Sequence, residues 1–158
     1  MKTLRLLPFL LIFAVFPFIA AWAGALQFPQ YGFQIDALDT TVTHLPMKAL
    51  MMYLPPHQDL NPNVNVLIQP SQGVKDYVAL TKKQFQQMGW KLVSDKMMGE
   101  KEWILEYTGT FQDINMHWYA RTVFTPDKIY LVTATAPEAD WSAVSEKLKH
   151  CVDSFKVD

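Results

Sequence analysis

Residues 101–136 contain three strand-like runs with apolar side chains on both faces. This constrains the fold more than any other feature of the chain. Lys101–Thr108, Met116–Phe124 and Ile129–Ala136 follow one another closely. Thr125-Pro126-Asp127-Lys128 separates the last two, with proline at the position of a tight turn that its fixed φ favours. Gly109–Asn115 reads as a longer loop before the second run, and hairpin-linked runs of this kind form an antiparallel meander. Side chains alternate along a strand. One face is therefore assigned Trp103, Leu105, Tyr107, His117, Tyr119, Val123, Tyr130 and Val132, and the other Ile104, Met116, Trp118, Ala120, Phe124, Ile129 and Leu131. Neither face is polar enough to meet water bare, so the sheet needs a layer on each side.

Two amphipathic segments can supply those layers. Between 73 and 88, Val74, Tyr77, Val78, Thr81, Phe85 and Met88 recur at steps of three and four, as on one face of a helix. Ser71 is the expected N-cap, and Gly89 the stop, because glycine adopts the left-handed cap conformation freely. A second helix is expected from about Asp140 to Phe155, with Trp141, Val144, Leu148, Cys151, Val152 and Phe155 pointing inward. Pro137, Glu138 and Asp140 suit its start. Ala49–Leu54, Asn63–Gln69 and Trp90–Met97 read as further strands. Together these elements describe an α+β fold, a central antiparallel sheet flanked by helices in an α/β/α sandwich.

The first 23 residues stand apart. Lys2 and Arg5 precede an uncharged apolar run from Leu6 to Trp22, and Ala21-Trp22-Ala23 places small residues at alternate positions. This pattern reads as a signal peptide cleaved after Ala23, with Ala25 as the second choice, and implies a periplasmic or secreted protein. The competing reading is an uncleaved anchor, but 17 residues broken by Pro8 and Pro17 fall short of the span of about 20 that a bilayer needs. Cleavage leaves residues 24–158 as a single domain with 12 basic and 15 acidic residues, a balance that attracts neither nucleic acid nor an anionic membrane. The lone cysteine, Cys151, excludes an internal disulfide and lies in the inward stripe of the second helix, so burial is expected.

At this level of detail the chain resembles the PsbP-like superfamily and, within it, the bacterial DcrB-like family. The resemblance rests on Tyr31-Gly32-Phe33, taken as an early strand, and on Asn61-Pro62-Asn63-Val64-Asn65-Val66. It continues through the helix bearing Tyr77 and Phe85, Glu106-Tyr107, Ile129–Thr135 and the closing Cys151-Val152-Asp153-Ser154-Phe155. It implies a central antiparallel sheet flanked by helices and a mostly non-enzymatic repertoire. Relatives associate with photosystem II, bind a small GTPase, chaperone exported toxins or serve in the bacterial envelope. No catalytic motif is common to them, so the resemblance transfers an expectation of partner binding and no functional residue.

The residues themselves contain no phosphate-binding glycine loop, nucleophile elbow, paired-histidine helix or Cys-x-x-Cys motif. Glu106, His117 and Arg121 are the first dispersed candidates for chemistry. If Thr108 opposes Met116, Tyr107 faces His117, Trp103 faces Arg121 and Glu106 points to the other face. The three then fail to share a pocket, as catalysis requires. Met47, Met51, Met52, Met97, Met98, His44 and His57 offer soft ligands suited to copper. Met51 and Met52 diverge on a strand, however, and such side chains commonly fill cores. The tryptophans point instead to a partner surface, because aromatics dominate binding hot spots. Trp90 and Trp118, with His57 and Asp59 on the proline-stiffened loop 55–62, are the candidate residues. The expectation is an exported, non-catalytic domain without a cofactor that binds a protein or peptide in the cell envelope. A copper carrier or a small enzyme is the alternative.

Overall fold

The computed structural model describes residues 24–45, 48–55 and 60–158, with the backbone course alone for 40–45 and 48. The leader, and His57 and Asp59 of the proline loop, lie outside the described residues. The chain begins with β1 (Ala25–Phe28), β2 (Phe33–Asp36), β3 (Thr40–Leu45), β4 (Lys48–Tyr53) and β5 (Asn63–Pro70). It continues through α1 (Val74–Met88), β6 (Lys91–Met98), β7 (Glu102–Phe111), β8 (Ile114–Phe124) and β9 (Lys128–Pro137), and closes with α2 (Glu138–Asp153) and β10 (Lys156–Val157). Seven strands form one antiparallel sheet in the order β3-β4-β5-β9-β8-β7-β6. A small second sheet has the order β1-β2-β10.

The sheet is covered on both sides, as its two apolar faces demand. On one side Tyr77 and Phe85 of α1 pack on Trp103, Leu105, Tyr107, Met116, Trp118, Phe124 and Ile129. On the other, Trp141, Leu148, Cys151 and Val152 of α2 meet Leu50, Met52, Val64, Val66, Tyr130 and Val132. Phe33 and Ile35 of the small sheet and Phe155 close that second core. Each helix therefore buries the apolar stripe that its periodicity announces. Met88 is the exception on α1 and lies exposed at its end.

Several local expectations change. Tyr31 and Gly32 form a turn, with Gly32 at φ 71°, and the strand begins at Phe33. Ser71 does not cap α1: the cap position is Gly73 at φ 84°, without a side-chain hydrogen bond. Instead the Ser71 amide donates to the carbonyl of Asp127 at 3.0 Å, which ties the helix entry to the β8–β9 turn. Gly89 closes α1 in the left-handed conformation, as expected.

The largest change is in the β7–β8 hairpin. The strands run on to Phe111 and Ile114, leaving only Gln112 and Asp113 to turn the chain, both at positive φ. Two residues of this conformation match the twist of the flanking strands, whereas a longer loop was expected. Gly109 therefore opposes Met116, and Thr108 opposes His117. A shift of one residue moves a whole row of side chains to the other face. Trp103, Leu105 and Tyr107 consequently join Met116 and Trp118 on the α1 side, and Glu106 joins His117 on the α2 side.

Candidate functional site: a polar cluster, an aromatic stack and an open edge

Glu106, His117 and Arg121 share one face of the sheet, which corrects the expectation that they diverge. His117 is only 6% exposed. Its Nδ1 lies 2.8 Å from Glu138 Oε2 at the start of α2, and its Nε2 lies 2.9 Å from Glu106 Oε1. Its ring stacks on Trp141 with centroids 4.0 Å apart. Lys149 Nζ reaches the same Glu106 oxygen at 2.8 Å and lies over the rings of Tyr119 and Trp141. Burial alone would raise the Glu106 pKa. Hydrogen bonds and charge from Lys149 and His117 outweigh it and hold the carboxyl below its usual range. Tyr119 donates to Asp153 Oδ1 at 2.9 Å, and burial followed by the Asp153 carboxylate pushes its phenol well up.

Arg121 serves the other end of α2. Its guanidinium donates to the carbonyls of Asp153 and Phe155 and to Glu102 Oε2. Carbonyls at a helix C-terminus lack intrahelical donors and attract a cation. Two side chains of β8 thus attach the two ends of α2 to the sheet, His117 at the first turn and Arg121 at the last. Both His117 nitrogens lie within hydrogen-bond distance of carboxylates, Glu138 on one side and Glu106 on the other.

The aromatic candidates meet on the opposite face. Trp90 stacks on Trp118 with centroids 4.7 Å apart, Trp118 on Tyr107 at 5.1 Å, and Phe85 packs on Tyr107 at 4.4 Å. Trp118 is 7% exposed, so its ring is spent on packing instead of facing a partner. Trp90 is half-buried and lies flat against Gly109. Beside it a cleft of about 340 Å³ opens between Met88, Lys91, Thr108–Thr110 and Asn115–Met116 of the β7–β8 hairpin, and Glu138. The methionine pair is separated as expected: Met52 is fully buried, while Met51 accepts a hydrogen bond from the Tyr53 hydroxyl. Met47, His57 and the His44 side chain lie outside the description.

The surface feature missed by the sequence reading is β6. It is an edge strand with every residue exposed. Met88, Leu92, Val93, Met97 and Met98 are five of the seven exposed large apolar side chains among the described residues, and Val93 reaches 58%. A cluster of this kind is a common mark of an interaction site. In the sequence, Leu92-Val93 and Met97-Met98 look like ordinary core-forming strand residues, and no local signal shows that nothing covers them.

The fold matches known structures at low sequence identity. The solution structure of CyanoP, the cyanobacterial PsbP of Synechocystis sp. PCC 6803, superposes with a TM-score of 0.62 at 15% identity, over 93% of this chain and 99% of that one. LpqN of Mycobacterium tuberculosis, a protein involved in cell envelope biogenesis, gives 0.58 at 10% identity over 79% and 82% of the two chains. A Pseudomonas aeruginosa protein of unknown function described as a putative regulator gives 0.54 at 16% identity over 73% and 85%. No functionally curated protein is recognisably similar in sequence. The PsbP family model matches residues 59–157, more than half of the chain, with five of the seven strands of the large sheet and both helices. The chain belongs to the PsbP family.

Proposed function

We propose that this PsbP-family chain is an exported, non-catalytic domain of the DcrB-like type that binds a protein or peptide partner in the cell envelope. The observation that carries the reading is the concentration of exposed apolar side chains along β6 and the end of α1. Two further observations support it. Glu106, His117, Arg121 and Lys149 on the α2 side are engaged with neighbouring carboxylates, with one another or with the ends of the helix, a structural employment that leaves the ring of His117 without a substrate-facing nitrogen. The leader carries the pattern of an export signal, and the fold is shared with LpqN, whose described involvement is in envelope biogenesis.

Site-directed photo-crosslinking in the producing cell tests the reading. A photoreactive residue at Leu92 or Met97 is expected to give a discrete adduct with another envelope protein, and one at the exposed Glu146 of α2 is not. Mature chains from the envelope are expected to begin at Gly24. Crosslinking no stronger at 92 and 97 than at 146 overturns the reading. So does a catalytic turnover that disappears in Glu106→Gln or His117→Gln while the fold is retained.

A further inference from the structure

We infer that the outer edge of β6 receives an extended peptide strand whose side chains alternate between acidic and apolar. This inference rests on the protein-binding reading and specifies the partner.

The edge itself is the first observation. β6 pairs with β7 on one side only and ends the seven-stranded sheet. Its outward backbone N–H and C=O groups form a template for another strand. Directly paired residues share a face, so the register sorts the side chains of β6 into two rows. Leu92 opposes Tyr107 and Met97 opposes Trp103, placing both on the α1 side. Lys91 opposes Thr108, and Lys96 opposes Ile104, placing both on the α2 side. Between Leu92 and Met97 the row holds Asp95, whose carboxylate is already engaged by Lys82 and by the Trp103 indole N–H. One side of the edge thus carries Leu92 and Met97 about an engaged Asp95, and the other carries Lys91 and Lys96 together with Ser94 and Met98. Lys91 and Lys96 make no ion pair among the described residues.

Charge is segregated to match. Residues 74–101 hold six lysines and three acids, a net charge of +3, while the rest of residues 24–158 holds six basic and twelve acidic groups, a net charge of −6. A strand added to β6 places its side chains next to these two rows, where opposite charges and apolar pairs stabilise the pairing. Acids on one face of the incoming strand meet Lys91 and Lys96, and apolar residues on the other meet Leu92 and Met97. A second copy of the chain fits poorly, because its own lysine row would meet this one. A lipid surface would leave the backbone groups of the edge unpaired. The β-bulge at Leu92–Ser94 bends the edge, so an added strand pairs continuously with Ser94–Met98 and reaches Lys91 and Leu92 across the bend.

The test uses the mature chain and an eight-residue synthetic peptide that alternates glutamate with valine. Its controls are the same peptide with lysine for glutamate, the acidic peptide N-methylated on alternate amides, and anionic phospholipid vesicles. The acidic peptide is expected to bind and to protect β6 amides from hydrogen exchange. The N-methylated peptide is expected to lose binding. Lys96→Glu, at a position outside both cores, is expected to weaken the acidic peptide by about ten-fold and to favour the lysine peptide. Equal binding of the acidic and lysine peptides, or unchanged binding after N-methylation, overturns the inference. Binding of vesicles without peptide does too, as does self-association of the chain through β6. A crosslinked partner at Leu92 in the cell combined with no acidic-strand binding overturns this inference and leaves the broader reading standing. Absence of both overturns both.

Discussion

The indole of Trp90 occupies the space where a β-carbon on Gly109 would stand. Trp90 is held there by Phe85, Tyr107 and Trp118. Gly109→Ala is therefore expected to destabilise the domain by about 1–3 kcal/mol through overpacking. Chemical denaturation measures the loss. In a Trp90→Ala background the same substitution is expected to cost much less, because the obstructing ring is gone; an equal cost in both backgrounds counts against the packing explanation.

The Glu106 carboxyl titrates below its usual range in the folded protein, under the hydrogen bonds of Lys149 and His117. A depressed pKa stabilises the fold above the unfolded-state value, and that contribution disappears as pH falls through the folded-state value. Stability is accordingly expected to decline on acidification below about pH 4.5, the ordinary glutamate value. Glu106→Gln is expected to flatten this part of the stability profile and leave its shape near pH 9 unchanged. Denaturation midpoints from about pH 3 to about pH 9 provide the comparison. An unaltered acid limb in the variant contradicts the assignment.

Removing His117 is expected to be costly for a different reason. His117→Ala leaves Glu106 and Glu138 without the ring between them and opens a void against Trp141. Breaking one partner out of a buried charged set costs about 3–5 kcal/mol. The remaining Lys149 contact and the exposure of Glu138 reduce the expectation to the lower end of that range. Hydrogen exchange is expected to rise first in the opening turn of α2, since that is the turn the ring attaches.

Cys151 is 2% exposed and its Sγ lies 3.1 Å from the Asp36 carbonyl. Burial, aided by the nearby Asp36, pushes the thiol up to about 12. At pH 8 the thiolate is essentially absent, so a thiol reagent is expected to label the unfolded chain and to spare the folded one. Leu148→Ala, in the same stripe and fully buried, is expected to cost about 2–5 kcal/mol. Rapid labelling of Cys151 in native buffer is the contrary result.

Gln112 and Asp113 hold the β7–β8 turn at φ 50° and 65°. Side chains with a β-carbon resist this conformation, and Asn-Gly is its preferred occupant. Replacing the pair by Gln112→Asn with Asp113→Gly is expected to raise the melting temperature. Unchanged or lowered stability would indicate that the two native side chains contribute contacts of their own.

The sequence by itself determined the elements that depend on near neighbours. The periodicity of Val74–Phe85 and of Trp141–Val152 specified two one-sided helices, although the second ends at Asp153 and not at Phe155, Gly89 marked the end of the first, and the apolar faces of 101–136 required a layer on each side of a sheet. These are consequences of backbone geometry acting over a few residues. Only the tertiary structure decided which residues stand opposite one another. The two-residue turn at Gln112-Asp113 moved Thr108 from Met116 to His117, and that single step placed Glu106 beside His117 and turned Tyr107 toward Trp118. It also decided that β6 ends the sheet, so that Leu92, Val93, Met97 and Met98, which have the composition of a core strand, lie open. Register and exposure depend on partners distant in the chain, and a strand's own residues do not specify whether a neighbour will come to cover them.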